Sequence, residues 1–385
     1  MTYDVTELTQ KLVSFPSVTP RDEGAQVYLA EKLEALGFEC AHLPFGEGDE
    51  TVSNLFARIG KGAPHICFAG HTDVVPTGPV NQWTFEPFSA HIKDGVLYGR
   101  GSSDMKGGIA AFLAAASEYL KKSELKGSIS FLIAGDEEGI AANGTVKVLE
   151  WMEKNGHIPD VCLVGEPTNP DHLGQYIKIG RRGSLNGVLN VTGAQGHVAH
   201  PDLADNPMKR LIILLGALSE HVFDEGSKNF QPTNLEITSL NTDNTAVNII
   251  PESGRAMFNI RFNDNWTKET LAGRLREVLD ATGYVYDLQT ESSGDSSITQ
   301  SGAWSDIVQQ AVQNITGLKP ELTTRGGTSD ARFITHYCPV LEYGGVNESI
   351  HKINENACVD DLKKLVEIYK CIIEMTDSSA PNIFL

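Results

Sequence analysis

The chain has 385 residues, of which 41% are apolar and 21% charged, and its formal net charge at pH 7 is −19. This length favours two domains over one, and the acidic surface disfavours proteins that bind nucleic acid or anionic membranes. No apolar run is long enough to span a bilayer, and the polar N-terminus lacks the hydrophobic stretch of a signal peptide, so we expect a cytoplasmic protein.

The first 180 residues alternate between helical and strand-like patterns. Helices are predicted at 4–14, 22–36, 107–121 and 143–154, and strands at 53–59, 64–70, 128–134 and 160–165. The runs ICFAG and ISFLIAG are almost continuously apolar, which is typical of strands buried on both faces of a sheet. They include Cys67, and the lack of any CxxC pair favours free thiols in a reducing compartment. The alternation predicts an α/β domain.

The next segment, 181–290, has a different pattern. A half-exposed strand at 183–193 precedes an amphipathic helix at 206–222, with Asn206 as its N-cap and Pro207 in its first turn. Further strands are predicted at 235–240, 246–250, 255–262 and 284–290, with a helix at 267–281. This order predicts a small α+β domain.

The polar segment ESSGDSS at 291–297 is predicted to be the return linker, after which α/β character resumes. We therefore expect a catalytic, metal-binding domain formed by residues 1–180 and 291–385. The domain at 181–290 would be an insertion into it.

Five short segments, most of them with glycine beside the polar residues, carry residue types that ligate metals. These residues are His71 and Asp73 in FAGHTDVVP, Asp104 in YGRGSSDMKGG, Asp136, Glu137 and Glu138 in IAGDEEG, Glu166 in LVGEPT, and His351 in NESIHKINE. Each segment follows a strand-like run, and the carboxyl ends of strands in an open α/β sheet converge on one crevice. Each residue alone also fits a structural role in a turn or on the surface, but together they predict a metal site.

Two histidines among several carboxylates suit a borderline ion such as Zn²⁺ or Co²⁺. The candidate ligands exceed the roughly four that one tetrahedral zinc takes, so a carboxylate shared by two ions explains the surplus. Two ions about 3.5–4 Å apart can activate water and polarise a carbonyl. Other chemistry is disfavoured, since the chain has no G-x-S-x-G elbow and no Walker loop, and GRGSSD does not complete G-x-G-x-x-G.

At these five segments the sequence resembles the M20 family of metallopeptidases and deacylases. The resemblance runs the length of the chain and also covers SVTPRDEGAQ, GRRGS, QGHVAHP, NIIP and GGTSDARF. It implies an α/β, zinc-peptidase-like catalytic domain with an inserted α+β, ferredoxin-like dimerisation or lid domain. The cofactors it implies are two Zn²⁺ per subunit, with Co²⁺ possible at one site.

The resemblance also implies a role for each matching residue. The ligands would be His71 and Glu166 for one ion, Glu138 and His351 for the other, and Asp104 as the bridge between them. Glu137 would be the general base, and Asp73 would orient His71. His197 would reach the active site of the partner subunit of a homodimer and stabilise the oxyanion.

The implied activity is hydrolysis of N-succinyl-L,L-2,6-diaminopimelate, a small molecule with several carboxylates. Substrate-binding residues implied by the resemblance are Arg181, Ser184, Asn248, Arg261, Thr328 and Asn347. Arginine suits this role because it grips a carboxylate with paired hydrogen bonds. The sequence departs from the family pattern at His200, Val247 and Arg325, which lie in the substrate region and outside the ligand set.

Two classes of alternative remain open. Another deacylase, such as one acting on N-acetylornithine, or a dipeptidase would use the same metal site. The motifs GRRGS, QGHVA and GGTSDARF favour the succinyl substrate instead. A metal-free homologue with a binding or assembly role would show a degraded site, whereas this chain keeps every expected ligand and Glu137.

Overall fold

The computed structural model describes residues 1–327, 329–380 and 383–384. Its helices are α1 (Val5–Val13), α2 (Ala25–Glu34), α3 (Lys106–Lys122), α4 (Thr145–Lys154), α5 (Pro207–Glu220), α6 (Lys268–Asp280), α7 (Ala303–Thr316), α8 (Ala331–Ile334) and α9 (Val359–Asp377). Its strands are β1 (Glu39–His42), β2 (Leu55–Gly60), β3 (His65–His71), β4 (His91–Lys93), β5 (Val96–Tyr98), β6 (Ser128–Ala134), β7 (Val161–Val164), β8 (Tyr176–Lys178), β9 (Gly180–Arg181), β10 (Gly183–Thr192), β11 (Gly196–His197), β12 (Asn234–Asn241), β13 (Ile249–Ile250), β14 (Ser253–Phe262), β15 (Asp287–Gly294), β16 (Ser297–Ile298), β17 (Glu321–Thr323), β18 (Val340–Glu342) and β19 (Asn356–Cys358).

The chain divides into two compact units. The first comprises Met1–Ile179, Thr299–Thr323 and the described residues from Ser329 onward, and the second comprises Gly180–Ile298 with a short stretch that begins at Thr324. The return to the first unit therefore follows Ile298 and not residue 290. The segment predicted to be a linker instead completes β15 and then forms β16, which pairs with β9.

The first unit is built on an eight-stranded sheet with the order β1-β2-β6-β3-β7-β18-β8-β17. The three strands β6, β3 and β7 are parallel neighbours, so their carboxyl ends lie side by side. Every residue of β3 and of β6 is buried. The apolar runs ICFAG and ISFLIAG therefore lie in strands covered on both faces, as predicted.

Helix α3 packs against this sheet through a mostly buried surface, with the ring of Phe112 stacked 4.4 Å from that of Phe68. Its first turn approaches the loop after β7 closely. A Cβ atom added at Gly108 would lie 2.7 Å from the carbonyl oxygen of Gly165, so only glycine allows this approach. The contact brings the start of α3 against the segment that carries Glu166.

A buried histidine opens β3 at the opposite end from the candidate ligands. His65 is 4% exposed, and its Nε2 lies 2.7 Å from the hydroxyl of Ser130 on the neighbouring β6. Burial, reinforced by the nearby charge of Arg58, lowers the pKa of His65 from 6.5 to about 3. The folded chain therefore keeps this imidazole neutral.

The second unit has the element order β10-α5-β12-β14-α6-β15 around a four-stranded antiparallel sheet in the order β12-β14-β10-β15. This is the split βαβ arrangement of ferredoxin-like folds, as expected. Helix α5 begins as predicted, because the side chain of Asn206 accepts a hydrogen bond from the backbone N–H of Met208 and Pro207 occupies the first turn.

One carboxylate organises the loops of the second unit that precede β12 and α6. Asp224 accepts hydrogen bonds from the indole Nε1 of Trp266 at 2.8 Å, from the side-chain amide of Asn263 and from the backbone N–H of Gly226 and Thr233. These donors lower the pKa of Asp224 although burial opposes its ionisation.

The six cysteines are free, as predicted, and Cys67 and Cys162 are buried. Among the helices that the structure describes, none has the length and apolar character needed to cross a membrane.

Candidate metal centre

Three candidate ligand segments follow adjacent strands of the main sheet. His71 is the last residue of β3, Glu137 and Glu138 follow β6, and Glu166 follows β7. Because these parallel strands are neighbours in the order β6-β3-β7, their ends bring the side chains to one edge of the sheet. The prediction that strand ends bring these side chains together is therefore confirmed for these three segments.

The other two ligands reach the site from a three-stranded sheet with the order β19-β5-β4. Asp104 lies between β5 and α3, and His351 precedes β19, which pairs with β5. Both segments follow strands, as predicted, with β5 before Asp104 and the main-sheet strand β18 before His351, but β5 belongs to a separate sheet. His351 has a φ of 58°, a left-handed conformation that is uncommon for a side chain of this size.

The carboxylate of Asp104 lies between the two histidines. Its Oδ1 is 3.4 Å from Nε2 of His71, and its Oδ2 is 3.3 Å from Nε2 of His351. A second carboxylate faces each imidazole, with Glu166 Oε1 at 3.5 Å from His71 and Glu138 Oε1 at 3.0 Å from His351. The donors therefore form two sets that share Asp104.

Two buried atoms of this cluster favour a bound cation. The Nδ1–H of His71 donates to the carbonyl oxygen of Asp73 at 2.9 Å, which leaves the lone pair of Nε2 directed at the carboxylates. Both this Nε2 and Oδ1 of Asp104 are buried without a hydrogen-bond partner. Buried polar atoms of this kind are costly unless something satisfies them, and a divalent ion would satisfy both.

The donor atoms are also close enough to share an ion. Those of His71, Asp104 and Glu138 lie within 4.8 Å of one another, and so do those of His71, Glu137 and Glu166. The first of these triads groups His71 with Glu138, whereas the pairwise distances place Glu138 beside His351. The pairwise distances favour grouping Glu138 with His351, because they show which oxygen faces which nitrogen.

The electrostatics of the cluster indicate a shortage of positive charge. Burial and repulsion by Asp104 raise the pKa of Glu166 to about 7, and hydrogen bonds to Asp104 and Glu138 raise the pKa of His351 to about 10. Burial opposes charge on His71, yet the carboxylates of Asp104 and Glu166 that face its Nε2 raise its pKa well above the ordinary value. Divalent cations supply the compensating charge that such a cluster needs.

Glu137 lies beside the ligands but farther from His71. Its Oε2 is 4.0 Å from Nε2 of His71, compared with 3.4 Å and 3.5 Å for the oxygens of Asp104 and Glu166. Burial raises its pKa well above the ordinary value, and the charges of Glu166 and Asp330 act in the same direction. A buried carboxylate with a raised pKa is suited to accepting and returning a proton.

The carboxylate of Asp73 holds the loop that carries Glu137 and Glu138. Its Oδ1 accepts the backbone N–H of Glu137 at 3.2 Å, and its Oδ2 accepts that of Glu138 at 3.0 Å. The same Oδ1 is 3.6 Å from Nδ1 of His71, so the hydrogen bond that orients the imidazole comes from the Asp73 backbone and not from its side chain. Burial raises the pKa of Asp73 to about 6.

Sequence reasoning missed three residues that support these loops. Asp136, predicted among the ligand types, instead accepts the backbone N–H groups of Ile140, Ala142 and Asn143 at 3.0–3.2 Å. Arg100 and Glu355 form a buried ion pair with an N–O distance of 2.7 Å beneath the Asp104 loop. The sequence signal for these residues was that each lies in a candidate ligand segment: Asp136 in IAGDEEG, Arg100 in YGRGSSDMKGG and Glu355 in NESIHKINE.

The predicted substrate residues lie in both units. Arg181 on β9 is buried and donates a hydrogen bond to the carbonyl oxygen of Gly327. Ser184 on β10 pairs in register with Arg261 on β14. These three belong to the second unit, whereas Asn347 belongs to the first and bonds through its backbone N–H to Asn169. Thr328 lies outside the described residues.

His197 lies on the exposed β11 of the second unit. This strand pairs with β13, and the backbone N–H of Val198 donates to the carbonyl oxygen of Asn248 at 3.2 Å, so His197 and Asn248 are neighbours. Nδ1 of His197 accepts the N–H of Ala199 at 3.1 Å, and the residue is exposed. This hydrogen bond uses Nδ1 and leaves Nε2 as the other ring nitrogen of an exposed side chain.

Known proteins resemble the chain along almost its whole length. A family profile described as Peptidase family M20/M25/M40 matches residues 67–375. The succinyl-diaminopimelate desuccinylase of Rhodospirillum centenum is 52% identical over 376 residues, which cover 97% of each chain. The protein of the same name from Parvibaculum lavamentivorans is 50% identical, over 96% of this chain and 95% of that one.

Solved structures share the fold at lower identity. An M20 family metallo-carboxypeptidase from Sulfolobus solfataricus superposes with a TM-score of 0.81 at 20% identity, covering 97% of this chain and 99% of that chain. The Bacillus subtilis YXEP protein, a dinuclear metal binding peptidase from the M20 family, gives a TM-score of 0.70 at 16% identity, with 97% and 98% covered.

Proposed function

This chain belongs to peptidase family M20/M25/M40, and from that premise we propose that it is a succinyl-diaminopimelate desuccinylase. The reaction is hydrolysis of N-succinyl-L,L-2,6-diaminopimelate to succinate and L,L-diaminopimelate, a step in the synthesis of diaminopimelate and lysine. The observation that carries the proposal is identity of about half over nearly the whole chain to relatives of that name, together with a complete set of candidate ligands.

The site suits two divalent ions, which we propose to be Zn²⁺, with Co²⁺ able to replace one of them. His71 and Glu166 would hold the first ion and Glu138 and His351 the second, with Asp104 shared because its two oxygens face different imidazoles. When bound, the ions would supply the Lewis acidity that activates water and polarises the amide carbonyl.

Glu137 is proposed to move the proton. It would accept a proton from the attacking water and then deliver it to the amine that leaves, and a pKa raised toward the working pH favours both transfers. Support comes from its largely buried side chain, its raised pKa and its position beside Asp104 and Glu166, the two candidate metal ligands that face His71. Asp73 assists by fixing the backbone on both sides of the Glu137 Cα atom.

The second unit is proposed to bind the substrate and to form a homodimer. In that dimer His197 would act across subunits and stabilise the oxyanion. Arg181 and Arg261 would bind carboxylates of the substrate, because a guanidinium matches a carboxylate with two parallel hydrogen bonds. Ser184, Asn248, Thr328 and Asn347 would complete the substrate contacts. The free cysteines agree with the cytoplasm as the proposed compartment.

The proposal is tested by assaying the zinc-loaded protein on N-succinyl-L,L-diaminopimelate, with N-acetylornithine as the comparison substrate. Turnover of the succinyl substrate alone is the expected result. Turnover of the acetyl substrate alone would keep the metal-dependent amide hydrolysis and overturn the assigned acyl group. Protein that binds two zinc ions and turns over neither substrate would indicate another acyl amino acid or a dipeptide.

A further inference from the structure

The side chain of Glu355 is enclosed by the loop that carries Asp104. It is 0% exposed, and its Oε1 accepts the backbone N–H groups of Ser103 and Asp104, each at 3.0 Å. Its Oε2 accepts the backbone N–H of Gly101 at 3.1 Å and Nη1 of Arg100 at 2.7 Å. Each oxygen thus has two donors, and the backbone of the loop is arranged around this one carboxylate.

Arg100 extends this arrangement to two further ligand segments. Its guanidinium donates through Nη1 to the carbonyl oxygen of Lys352, the residue after His351, and through Nη2 to that of Pro76, both at 3.2 Å. Pro76 is the last residue of the segment FAGHTDVVP, which contains His71 and Asp73. Arg100 is 2% exposed, so its contacts with Lys352 and Pro76 are made away from solvent.

The ion pair therefore joins three chain segments that carry metal-site residues, and its hydrogen bonds to them are made with their backbone groups. Buried ion pairs are poor stabilisers because desolvation offsets their attraction, and their attested benefit is a unique geometry. A bridging carboxylate needs such geometry, since metal ligands must be held to within about 0.5 Å. Partners beyond the ligands typically change metal affinity or activity about 10–100-fold when they are removed.

We propose that Arg100 and Glu355 are positioning residues that set the placement of Asp104 relative to His351, and thereby the affinity for the second ion. This inference rests on the proposed two-metal hydrolysis.

Glu355→Gln is the direct test. The amide keeps the size of the side chain but can accept at only one position, so its NH₂ group must face either Ser103 and Asp104 or Arg100 and Gly101, which are all donors. Asp377→Asn is the matched control. Asp377 is also buried and accepts from the backbone N–H groups of Lys126 and Gly127 and from the hydroxyl of Tyr119, without contacting a ligand segment.

Full-length protein would be stripped of metal and titrated with Co²⁺ while its visible d–d absorption and its melting temperature are recorded. For Glu355→Gln we expect about 10–100-fold weaker binding of one of two Co²⁺ ions, a similar fall in kcat and a nearly unchanged KM. Asp377→Asn should lower the melting temperature and bind both ions as the wild type does. Glu355→Gln that binds both ions with wild-type affinity would overturn the inference.

Arg100→Lys keeps the test decisive if the glutamine variant does not fold. Lysine retains the charge beside Glu355 but cannot reach Lys352 and Pro76 with a planar fork, so weaker binding of one Co²⁺ is again expected. Wild-type affinity in this variant would contradict the role. The proposed function is judged separately on the wild type, since failure of the unaltered chain to hydrolyse either substrate would refute that function alone.

Discussion

Replacing Glu137 by glutamine separates a proton-transfer role from a ligand role. The amide has nearly the same shape but cannot take a proton, and the backbone hydrogen bond to Asp73 is unaffected because it uses the N–H of residue 137. General acid–base groups contribute about 10²–10⁴-fold to rate. That range corresponds to about 3–5 kcal/mol in the barrier, so kcat should fall by this factor.

The metal content should stay unchanged in this variant, since Glu137 is the farthest of the three carboxylates that lie within 4.0 Å of His71 Nε2 and is not a proposed ligand. Glu138→Gln provides the contrast, because it removes an oxygen 3.0 Å from His351 and should lose an ion. Glu150→Gln is the control, as the side chain of Glu150 is 43% exposed and pairs with Lys147 on α4.

Steady-state kinetics on N-succinyl-L,L-diaminopimelate and elemental analysis of the purified proteins give the answer. Glu137→Gln that keeps more than a tenth of wild-type kcat would refute the general-base role. Loss of an ion in both Glu137→Gln and Glu138→Gln would show that Glu137 is a ligand.

Three further predictions follow from individual side chains. Asp73→Asn leaves the backbone N–H of Glu137 or Glu138 facing an NH₂ group. We therefore expect kcat to fall at least tenfold and the free energy of unfolding in urea to fall by about 1–3 kcal/mol. Unchanged kinetics would contradict this expectation. The contribution of His65 to stability is complete above its unfolded pKa of 6.5 and is lost as the pH falls toward its folded value of about 3. His65→Gln should therefore remove an acid-side slope of at most about 1.4 kcal/mol per pH unit, and an unchanged slope in urea unfolding at several pH values would count against it. Asp224→Ala removes the partner of the Trp266 indole, so it should destabilise the chain by about 1–3 kcal/mol and alter Trp266 fluorescence, whereas native emission would show that the hydrogen bond is dispensable.

Much of the fold and of the ligand set was accessible from the sequence because the relevant signals are local. A wholly buried strand such as β3 is a short apolar run, and a glycine beside an acid or histidine at its end indicates a tight turn into a site. The start of α5 is similarly encoded by Asn206 and Pro207 alone. Periodicity and capping need only neighbouring residues to operate.

The remainder depends on contacts between distant segments. Glu355 accepts from the N–H of Asp104 across 251 positions of sequence, and no periodic pattern links the two residues. The return from the second unit was misplaced for a related reason. A polar, glycine-containing segment is typical of a linker, yet its pairing along β10 makes it a strand.

The ends of the inserted unit have a consequence for how the chain is assembled. Its entry and exit strands, β9 and β16, are hydrogen-bonded to each other. In the host unit, the N–H of Thr299 donates to the carbonyl oxygen of Ile179 at 2.7 Å, so the interrupted chain resumes beside the point where it left. Closing a flexible loop of about 120 residues would cost about 4 kcal/mol of entropy. An insertion that folds on its own brings its two ends together first. The host unit then folds with residues 179 and 299 already close, and it does not bear the entropy cost of closing a long loop.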